Sequence, residues 1–396
     1  MKEGWERKKI KDISVLIADG DWIESKHQSD EGIRLIQTGN IGNGVFKAKE
    51  DKPHYISEYT FDELGCTEIF SGDCLVSRLP EPVGRACLIP EIGCRMITAV
   101  DCSIIRFKEI ILPKLFIYYT QSATYNRDVS NLTTGTTRKR ISRKNLESIL
   151  IPIPPLEEQE RIVEELDCLS GVIEKKKQLL KELDALAQSI FYEMFGNPVE
   201  NDRGWEVVEM EKLFDIGSSK RVFESQWTEQ GVPFYRAREI VKLSRGEDIE
   251  SPIFISEELF QEYSKKYGVP LEDDMMVTAV GTLGVCYIVK ADDRFYFKDG
   301  NTLWFKSKGI CETRFIKDEF STDFVVEQIK GNANAAVVGT YTITSAKKTK
   351  VLLPPIVLQR EYVLKVKRID EQKELIRKSI EEVEMLFNSR MDYFFG

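Results

Sequence analysis

Residues 151–167 read IPIPPLEEQERIVEELD, and residues 351–370 read VLLPPIVLQREYVLKVKRID. Each stretch sets a Pro-Pro pair at the head of a long amphipathic run. Proline is tolerated in the first helical turn because the N–H it lacks would have no partner there. Both stretches therefore predict a helix beginning at the proline pair. Glu157, Glu158 and Glu160 favour such a start electrostatically. From Ile162, alternating steps of four and three reach Leu166, Leu169, Ile173, Lys176, Leu180, Leu183, Ala187, Ile190 and Met194. The same frame in the second stretch reaches Tyr362, Val366, Ile369, Lys373, Ile376, Ile380, Val383, Phe387, Arg390 and Phe394. A 3.5-residue period sustained over several heptads predicts a coiled-coil seam, with Lys176, Lys373 and Arg390 as polar residues that fix its register. Gly196 stands where a C-terminal cap belongs.

The two helices belong to a repeat that spans the chain. Gly4-Trp5-Glu6 returns as Gly204-Trp205-Glu206, Gln159 as Gln359, and Phe195-Gly196 as Phe395-Gly396, all 200 positions on. Inside each copy the register drifts. HYIS answers to IFIS at an offset of 199, and CLVS answers to MMVT at 201. Such a pattern predicts one fold used twice, with different surfaces. The pieces are residues 1–150 and 201–350 as globular domains, and residues 151–200 and 351–396 as helical regions. If a two-fold axis relates the copies, the helices pair antiparallel. At 1.5 Å per residue, about 40 residues make a rod of roughly 60 Å with a domain at each end, which would act as a ruler.

Bulk properties narrow the function. The chain has 396 residues, 42% hydrophobic and 31% charged, which suits a soluble globular protein of more than one domain. No apolar run reaches the length of a membrane span, and MKEGWERKK lacks the apolar core of a signal peptide. Eight cysteines with no C-x2-C pair fit buried free thiols in a reducing cytoplasm rather than a zinc site. The net charge of -9 argues against a generally basic, nucleic-acid-coating surface, but leaves room for a local basic patch. With only His27 and His54 available, histidine-based acid–base catalysis has little to work with.

The globular segments read as α+β. CLVSR, CSIIRF, MMVTAV, VCYIVK and TLWFK are short strand-like runs, and helices are expected around Leu112–Ser122 and Glu312–Lys330. Each segment ends in a Thr-Gly loop with basic residues. The first, TTGTTRKRISRKN, carries Thr136, Thr137, Arg138, Lys139, Arg140, Arg143 and Lys144 without an acid between them. The second, GTYTITSAKKTK, carries Thr340, Tyr341, Lys347, Lys348 and Lys350. One such loop would be an ordinary solvated face, but two at matching places point to phosphate contacts. A second matched pair is IRLIQTGNI and VPFYRAREI. It offers Arg34, Gln37, Thr38 and Asn40 against Phe234, Tyr235, Arg236 and Arg238, with Arg, Gln and Asn able to read base edges. The ends of CLVS and MMVT add Ser77, Arg78 and Thr278 to the candidates.

Catalysis finds little support. There is no phosphate-binding G-x-x-x-x-G-K-[ST], and TGNIGNG has the wrong spacing for G-x-G-x-x-G. Leu156 and Ile356 follow the Pro-Pro pairs, so these are not the aromatic-bearing (D/N)PP(Y/F) site of an amino-methyltransferase. Asp21, Glu24 and Lys26 in DGDWIESK only faintly suggest a metal-dependent nuclease.

The motif TTGTTRKRISRKNLESILIPIPPLEEQERIV, its second form LLPPIVLQREYV and the paired Gly-Trp-Glu starts resemble the specificity (S) subunits of type I restriction-modification systems. The resemblance covers essentially the whole chain. The second helix start departs from the pattern, with Ile356-Val357-Leu358 in place of Leu-Glu-Glu, and the second loop lacks the Arg-Lys-Arg run. The resemblance implies two target-recognition domains related by a pseudo-two-fold axis and separated by an antiparallel coiled coil of two long helices. Each domain would read one half of a bipartite, asymmetric sequence in double-stranded DNA, with the helices fixing the gap. It further implies docking of two DNA adenine methyltransferase subunits that carry S-adenosylmethionine, and of restriction subunits that use ATP and Mg. This chain itself would then hold no cofactor or metal and catalyse nothing. The rival class is a protein-binding scaffold, two heads on a rod with no DNA.

Overall fold

Both proline-headed stretches are helices of 40 residues, Leu156–Phe195 and Ile356–Phe395. The computed structural model describes residues 4–136, 138–249, 253–332 and 339–396. These form two compact units, Met1–Leu179 with Ile376–Gly396, and Leu180–Leu375, so each unit holds half of each long helix.

Every residue of the expected seam is buried or half-buried. In the first unit, Arg390 pairs with Glu165 and Lys177 with Glu384 (3.0 Å), while in the second Lys373 pairs with Asp184. Residue numbers rise along one helix as they fall along the other, so the helix halves run antiparallel within each unit. Two of the three polar seam residues thus make ion pairs across the seam, the arrangement by which a charged seam position selects one register. Aromatic residues from the C-terminal end of one long helix also enter each core. Tyr119 meets Phe395 at 5.6 Å between ring centroids in the first unit, and Phe195 meets Phe315 at 4.7 Å in the second.

The recurrence of Gln159 as Gln359 has a structural cause. Gln159 is fully buried at the helix start; its Oε1 accepts from the Leu112 N–H (2.8 Å), and its Nε2 donates to the Ile110 and Pro154 carbonyls (2.9 Å each). Gln359 repeats this with the Glu312 N–H (2.9 Å) and the Pro354 carbonyl (2.8 Å). Backbone groups that the prolines and the helix start leave without partners are satisfied by one amide. Ahead of each helix a strand pairs with the beginning of its own repeat, Glu6–Lys9 with Leu150–Ile153 and Glu206–Glu209 with Lys350–Leu353. Gly196 has φ +79° and its N–H reaches the Tyr192 carbonyl (2.9 Å), as a C-terminal cap should.

In the first unit a four-stranded antiparallel sheet runs in the order Ser14–Asp19, Cys102–Phe107, Cys74–Ser77, Ala86–Leu88. Its two central strands are buried on both faces. Cys74, Val76 and Ile105 point toward the long helix, while Leu75, Cys102 and Ile104 pack under a second sheet. That five-stranded sheet runs Gln28–Ser29, Tyr55–Ile56, Ile33–Ile36, Met96–Thr98, Glu68–Ile69. The second unit repeats the first sheet as Phe214–Gly217, Thr302–Ser307, Met275–Thr278, Cys286–Ile288. Its other sheet has four strands, Trp227–Thr228, Ile253–Ile255, Val232–Tyr235 and Tyr296–Phe297. HYIS and IFIS recur because their serines cap helices: Ser57 Oγ accepts from Thr60 N–H (3.1 Å) and Ser256 Oγ from Leu259 N–H (3.2 Å).

Two expectations need adjustment. The helix expected around Leu112–Ser122 is Pro113–Tyr119, with a further helix, Ala123–Leu132, following it, while the one expected around Glu312–Lys330 is two helices, Thr313–Glu319 then Asp323–Asn332. In the first pair Ser122 breaks the run by capping the second helix through Tyr125 N–H (3.2 Å). The pairing of IRLIQTGNI with VPFYRAREI also shifts by one residue. Ile36 and Tyr235 end equivalent strands, Gln37 answers to Arg236, and Asn40 answers to Glu239.

Candidate nucleic-acid interface

In the first unit, TTGTTRKRI folds as a β-hairpin in which Thr133–Thr134 pairs with Arg140–Ile141. Gly135 makes the turn at φ +99°, and a Cβ there would lie 2.5 Å from the Arg138 carbonyl oxygen, so glycine is required. Thr136, Arg138 and Lys139 are exposed and Arg140 is half-buried; Thr137 lies outside the described residues. The cations are thus displayed on a tight turn rather than on a flexible tail.

The base of the hairpin joins three other segments. Ile141 N–H donates to the Arg78 carbonyl (3.3 Å), and Arg78 N–H donates to the Asp101 carbonyl (2.9 Å). The Asp101 carboxylate accepts from Arg138 Nη2 (3.1 Å) and lies 3.3 Å from Arg140 Nη2. Arg78 itself is only 5% exposed, with Nη1 on Asp19 (2.9 Å) and Nη2 on the Val100 carbonyl (2.5 Å). Burial lowers its pKa, and Asp19 opposes that shift. Arg85, also buried, donates Nε to the Ile41 carbonyl (2.8 Å), Nη1 to Leu79 (2.8 Å) and Nη2 to Thr38 (2.9 Å). It ties the Thr38–Asn40 turn to the segment holding Ser77 and Arg78. Four stretches far apart in sequence therefore meet in one region.

Beside that turn lies a cleft of about 430 Å³ lined by Arg34, Gln37, Asn40, Lys49, Lys52 and His54, with Asp51 among them. Arg34 stacks on Tyr55 (5.4 Å to the ring centroid) and donates Nη2 to the Ala48 carbonyl (2.7 Å), which holds its guanidinium across the cleft wall.

The second unit places its candidates on the same framework with different chemistry. Tyr235 lies 4.9 Å from Phe295 between ring centroids, and the next residues begin a helix, Ala237–Ser244. Arg236 (Nη2, 2.9 Å) and the exposed Arg238 both pair with Glu239, which is buried. Burial would raise the Glu239 pKa, but the two arginines outweigh it and hold the carboxylate ionised. Thr340 bridges to Val280, Tyr341 N–H donates to the Ala279 carbonyl (2.9 Å), and Lys347 is half-buried on the helix Ile343–Lys348. The ionic network of the first unit is replaced by neutral residues. Ala279, Ser218 and Asn301 stand at the places of Arg78, Asp19 and Asp101.

Several candidates chosen from sequence do not face solvent. Asn40 is 6% exposed, donating Nδ2 to the Lys47 carbonyl (2.8 Å) and accepting from Gln37 N–H (2.9 Å). Ser77 and Thr278 are fully buried and hydrogen-bond to the turns that follow them. Tyr341 is fully buried against Thr349 (2.7 Å), and Arg78 is committed to Asp19 and Val100. Ser77, Thr278 and Tyr341 have no exposed surface and Arg78 and Asn40 very little, Asn40 showing only at the cleft wall, so these side chains support the surface around them. Asp21, Glu24 and Lys26 do not converge: Asp21 accepts from Thr67 N–H (2.9 Å), while Glu24 and Lys26 form an exposed pair (2.8 Å). Among the described residues no group of three or more His, Cys, Asp or Glu is placed to hold a metal. The organising residues missed by sequence are Asp101, Arg85, Asp19 and Glu239. Their roles depend on contacts between distant segments, and only the short spacing of Arg236 and Glu239 gave a local hint.

The sequence model for the type I restriction modification DNA specificity domain matches residues 2–185 and again residues 202–385. The chain is 23% identical over 409 residues to the putative type I restriction enzyme MjaX specificity subunit of Methanocaldococcus jannaschii, covering 96% of this chain and 90% of that one. It is 26% identical over 234 residues to a putative type I restriction enzyme specificity subunit of Haemophilus influenzae, spanning 58% of each chain. Among solved structures, the type I restriction-modification S subunit of M. genitalium has the same fold, with a TM-score of 0.58 at 15% identity over 99% of this chain and 96% of that one.

Proposed function

We propose, for a chain that belongs to the type I restriction-modification DNA specificity family, that it is the subunit that selects the DNA sequence for its complex. The observation that carries this reading is the doubled family match laid over one framework with two different edges. Residues 1–150 and 201–350 serve as target-recognition domains, each reading one half of a bipartite, asymmetric site. Residues 151–200 and 351–396 set the gap between the halves and dock two adenine methyltransferase subunits. Exposed Leu179, Leu186, Leu364, Leu375 and Met385 on the long helices supply apolar surface for such partners. As a specificity subunit the chain does no chemistry. S-adenosylmethionine, ATP and Mg belong to the methyltransferase and restriction subunits, and the complex works in the cytoplasm. No helix among the described residues is long and apolar enough to cross a membrane.

On the first domain, Thr136, Arg138, Lys139 and Arg140 approach phosphates, while Arg34, Gln37 and Thr38 border the cleft where base edges would be read. On the second, Tyr235, Arg236, Arg238, Thr340 and Lys347 take the corresponding places. The test is to express the chain with its co-encoded methyltransferase subunit and map modified adenines across the host genome. A two-part motif with an unspecified gap is the expected result. Its absence, with both proteins soluble and associated, would favour the scaffold reading.

A further inference from the structure

We infer that Asp101 is a built-in competitor for the DNA backbone, holding the first domain's basic hairpin back from phosphates that lack a matching sequence. The inference rests on the reading of that hairpin as a DNA contact. Asp101 lies in the turn between the strands Met96–Thr98 and Cys102–Phe107. Its main-chain carbonyl is held by Arg78 N–H (2.9 Å), and the neighbouring Val100 carbonyl by the Arg78 guanidinium (2.5 Å). A buried arginine thus fixes the turn, and the turn aims one carboxylate at two hairpin arginines, Arg138 at 3.1 Å and Arg140 at 3.3 Å.

A carboxylate presents to a guanidinium the same charge and acceptor oxygens as a phosphate. With Arg138 71% and Asp101 23% exposed at the side chain, the pair is open to water and its contacts are exchangeable. A phosphate arriving at the hairpin must take over the arginines or sit beside a like charge, so Asp101 penalises every duplex equally. A cognate half-site, which adds base contacts, overcomes that penalty; a random one does not. The penalty cancels in the ratio of cognate to random affinity; what it changes is occupancy, releasing the chain from random DNA while a half-site with added base contacts stays bound. The second domain has Asn301 at this place and Ala279 and Ser218 for the supporting ion pair, so the restraint belongs to the first domain. Asn301 also shows that this turn accepts asparagine.

The test is Asp101→Asn in the full chain, measured by fluorescence anisotropy on a random-sequence duplex over a salt series. Two exposed pairs predict a roughly two- to tenfold tightening of non-specific binding and a steeper salt dependence. The gain should vanish in the Arg138→Ala/Arg140→Ala background. Unchanged or weaker binding by Asp101→Asn, with the double-alanine chain weakened as expected, would overturn the competitor role alone. If the double-alanine chain binds like the parent, the hairpin reading itself falls, and the competitor role falls with it.

Discussion

Replacing Arg138, Lys139 and Arg140 together by alanine should weaken binding to cognate and random duplexes by the same factor. Arg138 and Lys139 are exposed on the hairpin and Arg140 is half-buried at its base, so up to three phosphates are within the hairpin's reach. Each phosphate neutralised contributes about 0.9 to the slope of log affinity against log salt, so losing three makes the slope shallower by about 2.7. Over a fourfold rise in salt, the parent should then lose roughly 40-fold more affinity than the triple variant. Anisotropy titrations on both duplexes at four salt concentrations give the two slopes directly. Parallel slopes for parent and variant would refute the backbone role. A loss confined to the cognate duplex would move these residues from phosphate contact to base reading. Because Arg138 and Lys139 are exposed and the pairs that Arg138 and Arg140 make with Asp101 are open to water, the thermal transition should move little, and a melting curve checks that.

Two further outcomes follow from the framework. Gln159→Ala leaves the Leu112 N–H and the Ile110 and Pro154 carbonyls without their buried partner, which should cost about 2–4 kcal/mol and lower the melting temperature by several degrees; an unchanged melting temperature would mean water replaces the amide. Glu319 is fully buried, its Oε2 has no partner among the described residues, and burial raises its pKa to about 8 although Leu352 N–H donates to Oε1 (2.6 Å). The unfolded chain releases this proton near 4.5 and the folded chain only near 8, so stability should fall between those values by roughly 1.4 kcal/mol per pH unit and then level off. Glu319→Gln should remove that part of the pH dependence, raising the melting temperature at pH 8 relative to parent more than at pH 5; an equal shift at both would show that Glu319 does not titrate in this range.

The parts of the fold that sequence disclosed are those governed by local rules. The seam from Ile162 to Met194 and its partner from Tyr362 to Phe394 follow from a period, and the Pro-Pro starts and Gly196 follow from helix-end chemistry. The recurrence of Gln159 and Gln359 was visible, but its reason was not. Two of the three partners of Gln159 lie about 50 positions away in sequence, on a segment whose place is set only by the core. The interface divides in the same way. The exposed cations of the hairpin were legible because five positive side chains without an acid have few buried uses. Burial of Asn40, Ser77, Arg78, Thr278 and Tyr341 was not legible, because a polar side chain on a strand end satisfies itself internally as readily as it reads DNA. Asp101 was invisible for the converse reason: one aspartate after a strand has no signature until the hairpin folds back onto it.

If the paired helices set the gap between two separately read half-sites, a longer pair must write a longer gap. One heptad inserted after Leu180 and another before Arg377 keeps the seam frame and the antiparallel pairing, and adds about 10 Å of helix. Mapping modified adenines in cells that express the lengthened chain with its methyltransferase subunit should return the same two half-sites separated by a longer gap. The original gap, written by a lengthened chain at undiminished efficiency, would show that the helices do not set it.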